Sequence, residues 1–429
     1  MHLHDKAFYI SFFFILGVGF AGFDINVFIS LTIGFILGYI TFSLTLKQTL
    51  IFLSFLFSGF FYLHLYNALN QEIINFNTSD SYVGLVKNEP ALGINSTEIQ
   101  LNLVSPHKGE VTLYTSPLTD VKYGDEVQFS GIAEKSPSGN RNIVSFPDDS
   151  KVIEKGGGSV FKKNLFSIKN KLIANLKAVL PADKAALMSG ILFGERAEFT
   201  KKLEEAMKGS GTTHIVALSG YNIAILSVTL AGALSYIWGR KKAFWMSLFV
   251  IPAFIVMTGA DPSVVRAGIM GLVMLLATTL GRAYSFRNAI TLTALGMLLY
   301  NPNFLIQDAG FQLSFSALMG IVYIYPWLSR KWDLSREGFL NWKTNALQTL
   351  SAQIAVLPIV LIVFGFFSPT APIANILILE FIPVTMFVGF LSSVLGLFSH
   401  TLSLLVGWGV NLLLSYEIFI IDLFAFNWT

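Results

Sequence analysis

The chain contains no cysteine among its 429 residues. That excludes disulfide frameworks, thiolate zinc sites and cysteine nucleophiles within them. Charge is scarce too: Asp, Glu, Lys and Arg make up 13% of the residues, roughly half the share usual in soluble domains. The six histidines are scattered, with no H-E-x-x-H or His/Asp cluster, so neither a metal nor a cofactor is expected. No P-loop is present, so no ATP-driven step is assigned to these residues. What is abundant is apolar: 53% of residues are hydrophobic, and runs of membrane-spanning length recur. The expected fold class is a polytopic α-helical membrane protein. The formal charge of +3 says little alone, because charge is unevenly placed.

Composition divides the chain into four regions. Residues 1–68 hold three closely spaced apolar segments, punctuated by Asp24 and Lys47. The first lacks a small-residue cleavage site and a strongly basic start, so it reads as a retained anchor rather than a signal peptide. Residues 69–160 are polar and β-rich, with stretches such as Val83–Val86, Glu98–Leu103, Val111–Tyr114 and Glu126–Phe129. Turns such as Tyr123-Gly124-Asp125 separate them. Five short strands in such a length predict a small barrel of OB type. Nucleic-acid binding by this region finds little support. It carries seven Lys/Arg against twelve Asp/Glu over residues 68–160, and no dense aromatic set for stacking bases.

Residues 161–210 are Lys-rich. Phe161, Leu165, Ile168, Leu172, Ile173, Leu176 and Leu180 recur at spacings of three and four, with lysines between them. This predicts amphipathic, interfacial helices; the same lysines could line the approach of a polyanion. Residues 211–429 return to apolar segments joined by short loops, about eight spans. The expected spans are 7–22, 26–44, 48–66, 214–238, 243–259, 264–280, 288–300, 308–326, 344–366, 372–396 and 402–424, about eleven in all. With the N-terminal residues inside, Lys6, Lys47, Arg240-Lys241-Lys242, Arg282 with Arg287, and Arg330-Lys331 with Arg336 and Lys343 all fall on the cytoplasmic side. The β-rich region, the start of the His214 segment and the C-terminal residues then lie outside.

Polar residues inside these segments mark places that lipid would reject. His214 and Asn222 are eight apart and share a helical face, while Ser219 and Gly220 let a second backbone approach. Asp261, Ser263 and Arg266 cluster at the start of another span. Gln312, Ser314, Gln353, Asn375 and Glu380 complete a candidate groove. Each also has a plain reading. Ser219 and Gly220 could serve packing alone, Arg266 could snorkel or pair with Asp261, Ser263 could cap a helix, and Gln312 and Gln353 could bond across helices.

The stretch His214-Ile-Val-Ala-Leu-Ser219-Gly220-Tyr221-Asn222 resembles the His-x-x-Ala-x-Ser-Gly-x-His signature of the ComEC family of competence proteins. Gly259-Ala-Asp-Pro262-Ser263-Val-Val-Arg266-Ala267 is similar to that family's Pro-Ser-x-x-Arg-Ala motif. Gly281-Arg282, Asn301-Pro302, Gly310-Phe311-Gln312-Leu313-Ser314-Phe315, Gln353 to Pro358, Phe364-Gly365 and Asn375 come after them in the family's order. The upstream Gly190-Ile-Leu-Phe-Gly194-Glu195-Arg196 fits that order too. The likeness runs over nearly the whole chain.

The resemblance implies an inner-membrane channel that carries single-stranded DNA into the cytoplasm during natural transformation. It implies the lipid bilayer, a DNA receptor, a nuclease and a cytoplasmic motor as partners, with a homo-oligomer also open. Many family members carry a metallo-β-lactamase-like domain. The His-x-His-x-Asp-His motif is not found within these residues, so the expectation is a form without that domain, and no enzyme activity. Asn222 stands where the family often has His; Asn keeps a donor and an acceptor but does not titrate near neutral pH. Two other classes stay open. One is a small-solute transporter. The other is an intramembrane serine hydrolase with Ser219 as nucleophile and His214 as base. Ala217-Leu-Ser219-Gly220 resembles the rhomboid-protease Gly-x-Ser-Gly without its first Gly, and a separation of five does not face the two side chains together.

Overall fold

The computed structural model describes residues 3–92, 96–116, 121–136, 142–147, 149–195, 199–216, 232, 235–236, 238–279, 285–330, 342–365 and 368–425. Two compact units are present: Met1–Glu72 with Ile269–Gln312, and Ile73–Gly268 with Leu313–Thr429. Helices occupy ten of the eleven expected apolar segments; the segment 214–238 lies largely outside the described residues. Among the described residues, five helices are long and apolar enough to cross a membrane singly, and a bent pair makes a sixth. The protein is a multi-pass helical membrane protein with a separate β-sheet region.

The first unit is built on α1 (Leu3–Gly22), α2 (Val27–Thr41), α3 (Leu46–Leu69) and, further along the chain, the helix Phe286–Tyr300. Asn26 accepts the Phe28 amide at the start of α2, and Thr45 with Gln48 forms a reciprocal capping box on α3. α2 ends in a π-turn over Ile36–Thr41, so the apolar run 26–44 gives a shorter helix than its length suggests. The contact of α1 with α3 is set by glycine. A Cβ at Gly17 would sit 2.0 Å from the Leu56 carbonyl oxygen, and one at Gly59 2.1 Å from that of Phe14. Backbones this close need no side chain between them. Phe13, Phe52 and Leu56 fill the adjoining core. Arg287 reaches Asp5 at 2.8 Å and lies 4.4 Å above the Phe8 ring. At the other end Tyr62 donates to the Leu299 carbonyl and Asn303 to Asn67.

The β region has eight strands: β1 (Ser79–Val86), β2 (Ala91–Leu92), β3 (Thr97–Leu103), β4 (Glu110–Thr115), β5 (Glu126–Ile132), β6 (Glu134–Lys135), β7 (Asn142–Ser145) and β8 (Asp149–Glu154). Their order is β6-β7-β4-β3-β1-β5-β8, with β2 beside β3. Alternation along β3 and β5 buries Ile99, Leu101, Val127 and Phe129 on one face. The sheet is open among the described residues, since β6 and β8 end it without pairing. The sequence pattern predicts five strands; two of the additional ones, β2 and β6, are two-residue pairings, and the third has a local cause. The last strand breaks at Phe146-Pro147, where Phe146 has φ 49° and Pro147 has no N–H to donate. β7 therefore pairs with β4 in parallel, while β8 pairs with β5.

The Tyr123-Gly124-Asp125 turn joins the sheet to the helix after it. Gly124 has φ 82°, and a Cβ there would fall 2.5 Å from the Gly158 nitrogen. Asp125 accepts from the amides of Lys122 and Gly156, each at 2.9 Å. α4 (Val160–Val179) begins at this point and is succeeded by α5 (Ala182–Phe193) and α6 (Lys201–Gly209). The Tyr123 hydroxyl accepts from the Ser159 amide, and Lys162 lies over the Tyr123 ring. Burial lowers the Lys162 pKa, and the nearby Lys87 charge acts in the same direction.

The remaining helices are α7 (Arg240–Met257), α8 (Pro262–Thr279), α9 (Phe286–Tyr300), α10 (Ala309–Ser329, with a π-turn at Gly320–Ile324), α11 (Trp342–Phe364), α12 (Ala371–Leu379), α13 (Ile382–Leu395) and α14 (His400–Phe424). α12 and α13 form the bent pair, 50° apart. The apolar stripe of α4, with Phe166, Leu172, Ile173 and Leu176, is buried against protein; α4 packs on α5, α7, α13 and α14. Lysine placement on α4 is not uniform. Lys169 is buried and pairs with Glu89 at 2.7 Å and Glu195 at 3.5 Å, which ties Glu195 and the β region to one helix.

Candidate functional site

The His214 segment is anchored by small and hydroxylated residues of the second unit. α6 stops at Gly209, and Ser210 and Thr212 bond to each other at 2.8 Å. Gly211 takes φ 67°, and a Cβ there would lie 2.4 Å from that of Ala371, so the chain turns directly against the start of α12. Ser368 donates to the Gly209 carbonyl at 2.7 Å, and Thr370 to the Phe424 carbonyl at 3.2 Å. Gly190 of α5 faces Val216 at close range. His214 itself lies on a 3₁₀ turn, Thr213–Ile215. Ser219, Gly220 and Asn222 lie outside the described residues.

The Pro262-Ser263 motif starts α8, where Pro is suited to a first helical turn. Val264 and Val265 donate to the Asp261 carbonyl, and the Asp261 side chain is exposed. Arg266, one turn later, is 7% exposed. It neither snorkels nor pairs with Asp261: no ion pair involves it among the described residues, and its Nε has no hydrogen-bond partner. Its guanidinium lies 5.7 Å from the centroid of Phe315 on α10. Two motifs distant in sequence thus meet. A desolvated cation–π contact is worth about 2 kcal/mol, no more than the roughly 2.5–3.5 kcal/mol that inserting an Arg at mid-membrane costs. Stability alone gives no reason to keep an arginine here.

The other predicted residues divide. Gln312 donates to the carbonyls of Leu305 and Ile306, so its amide closes the turn before α10. Ser314 is half-buried one residue before Phe315. On α11 the Gln353 Oε1 is buried without a partner, and on α12 so is the Asn375 Oδ1. Glu380 caps the end of α12 at the bend, where the Asn345 amide donates to it. Gly320 brings α10 within touching distance of the Ser351 carbonyl of α11. Sequence reasoning does not single out Glu417 on α14. It is 1% exposed, accepts from Thr385 at 2.6 Å and leaves Oε2 unpartnered. The signal is there to be found, a carboxylate inside the apolar run 402–424.

Buried guanidinium, amide and carboxylate atoms without partners recur on α8, α11, α12 and α14. Native interiors leave few such atoms unpaired unless function or water uses them. The class these features define is a multi-pass membrane protein with polar groups inside its helical bundle and an appended β region. The family model described as "Competence: Competence protein" matches residues 191–428, and the chain belongs to that family. It is 29% identical over 262 residues to ComE operon protein 3 of Bacillus subtilis (strain 168), covering 58% of this chain and 32% of that protein. It is 25% identical over 229 residues to the uncharacterized protein YcaI of Escherichia coli (strain K12), covering 51% of this chain and 30% of the other. The chain thus spans about a third of the length of these curated relatives. No solved structure matches it.

Proposed function

We propose that this chain forms an inner-membrane channel for single-stranded DNA, with Arg266 at its outer mouth. The observation that carries the reading is the buried, unpaired Arg266 stacked on Phe315, which joins two motifs of the competence family. A phosphate chain cannot cross hydrocarbon without polar lining. A planar guanidinium suits a phosphate oxygen pair, and an aromatic face beside it suits a base. The unpartnered oxygens of Gln353 and Asn375 are acceptors for base amino groups deeper in the bundle. A DNA receptor, a nuclease and a motor are expected on other polypeptides or domains. Transformation of a deletion strain tests the reading when surface uptake and cytoplasmic arrival are scored separately. Loss confined to cytoplasmic arrival supports the channel; normal transformation removes it.

We place the N-terminal residues in the cytoplasm and the β region and C-terminal residues outside, across about eleven spans. Two sets of contacts fit this alternation, whereas Asn175 of α4 donates to the Ser393 carbonyl at an end placed inside, so α4 reaches across to that end. Asp5 meets Arg287 at ends placed inside, and Gly209, Ser368, Thr370 and Phe424 meet at ends placed outside. Reporter fusions after Lys242 and after Arg330 are expected to read cytoplasmic, and one at Ser138 external. An external signal at Lys242 would remove both the topology and the outer-mouth assignment.

The β region is read as a partly open OB barrel. β1, β3 and β4 form a meander, β5 returns to β1, and β7 lies parallel to β4, with β8 continuing the broken last strand beside β5. Its acidic balance repels phosphates, and non-specific DNA binding depends on neutralising them. Residues 69–160 are expected to bind single-stranded DNA weakly at physiological salt by fluorescence anisotropy. Tight binding with a steep salt slope would show that a basic stripe outweighs the net count.

A further inference from the structure

Glu417 is the buried acid that the channel reading does not use. The elements packed on α14 are α13, α12, α4, α5 and α6. Their charged groups are engaged elsewhere. α13 carries none. Lys184 of α5 bonds to Asn411 and Ser415 at 2.6 Å each, and Asp183 is exposed. Glu380, after α12, meets Asn345. On α4, Lys169 pairs with Glu89 and Glu195, Lys162 and Lys163 donate to the Lys87 and Gly156 carbonyls, and Lys171 and Lys177 are exposed. The charged side chains of α6 are exposed as well. On α14 itself, His400 and Asp422 are exposed, and Tyr416 donates to the Leu377 carbonyl. No cation faces Glu417 among the described residues.

One hydrogen bond to a charged group returns less than the desolvation of an unpaired ion costs. A carboxylate in that position is stable only if it neutralises or if the helices part to admit water. The seam between α13 and α14 is tight toward the turn that joins them. There Ser392 and Ser403 donate to each other's carbonyls at 3.0 and 2.9 Å, and a Cβ at Gly407 would lie 3.7 Å from the Ser392 hydroxyl.

We propose that Glu417 is an intramembrane proton-binding site coupled to the seam between α13 and α14: protonated when the seam is closed, ionised when it opens. The proton goes to and comes from water, and no other reactant is needed. Such a site would let a proton gradient bias a helix movement in a chain with no nucleotide-binding motif. The inference does not depend on DNA being the cargo.

The test uses the full chain in lipid nanodiscs. Infrared spectra at pH 7 should show a protonated-carboxyl C=O band that Glu417→Gln removes, whereas an ordinary Glu, with a pKa of about 4.3, is ionised there. Thr385→Val, which removes the one donor to the carboxylate, should make that band persist to higher pH. Ser392→Cys with Ser403→Cys adds a second readout. Thiol ionisation alone speeds copper-phenanthroline oxidation as pH rises, so the Glu417→Gln background sets the baseline: at pH 6, relative to pH 9, the disulfide should close faster with Glu417 present than with Glu417→Gln. If the pH 7 band is the same with and without Glu417, or if the pH dependence of crosslinking is the same in the wild-type and Glu417→Gln backgrounds, the proposal is overturned. Should Glu417→Gln fail to fold, the Thr385→Val spectrum decides alone: an unmoved band contradicts the site.

Discussion

If Arg266 lines the DNA path, Arg266→Lys should lower DNA internalisation ten- to a hundred-fold while protein level and surface uptake stay unchanged. The side chain keeps its charge, so a loss isolates geometry. Lys supplies a point charge on a flexible stem, whereas Arg holds a planar fork over the Phe315 ring, 5.7 Å from its centroid. One charge-assisted hydrogen bond is worth about 1.5–3 kcal/mol, and each 1.4 kcal/mol is about ten-fold; that sets the expected range. Phe315→Leu should act in the same direction, because it removes the face that orients the guanidinium. Asn222→His should be tolerated, since the family pattern often has His there. The measurement is transformation frequency beside immunoblots of membrane fractions. Normal frequency for Arg266→Lys would leave Arg266 without a role in passage.

The second large effect is on stability. Gly59→Ala should lower the melting temperature of the purified full chain, and Gly296→Ala should not. The Gly59 Cβ would fall 2.1 Å from the Phe14 carbonyl oxygen, which is backbone and cannot rotate aside. Overpacking of this kind costs about 1–3 kcal/mol, and a backbone clash sits at the upper end. A Cβ at Gly296 meets nothing within 4 Å, so the better helix propensity of Ala, about 1 kcal/mol, acts unopposed. Gly17→Ala should resemble Gly59→Ala, because it faces the same contact from the other helix. Equal melting temperatures for the Gly59 and Gly296 variants would contradict the close approach of α1 and α3.

How much is legible in the sequence depends on the range of the interactions. Helix positions are legible because apolar runs and Lys/Arg loops are local signals: the run 344–366 corresponds to Trp342–Phe364, and 402–424 to His400–Phe424. The bend between α12 and α13 is not legible as such, since 372–396 reads as one apolar run. Its cause is local but subtle. Pro383 has no N–H to donate to the Leu379 carbonyl, so the first helix is not continued through it; one helix ends at Leu379, and another begins at Ile382 with Pro383 in its first turn. The Tyr123-Gly124-Asp125 turn is visible, but the parallel pairing of β7 with β4 is not, because it joins strands far apart in sequence.

The candidate site divides the same way. Motif spacing singles out Arg266 and the Gly310–Phe315 stretch separately, and only the tertiary fold shows that Arg266 stacks on Phe315. Polarity groups Gln312 with the groove, yet its amide bonds to the turn beside it. Glu417 escapes sequence reading because its environment depends on which face of α14 meets α13, and that is a packing fact.

Thiol protection tests the central claim most directly, because the cysteine-free chain allows single cysteines to report alone. Ser263 and Ser314 are half-buried, the first lying three residues before Arg266 and the second next in sequence to Phe315, which Arg266 faces; Ile362 on α11 is 84% exposed and is not assigned to the path. With Ser263→Cys, Ser314→Cys and Ile362→Cys made separately, a membrane-impermeant thiol reagent is applied with and without single-stranded DNA. The channel account predicts that the cysteines at 263 and 314 react and that DNA slows them, while the one at 362 is unaffected by DNA. Reaction at 263 and 314 that DNA leaves unchanged, or no reaction at either, would contradict it.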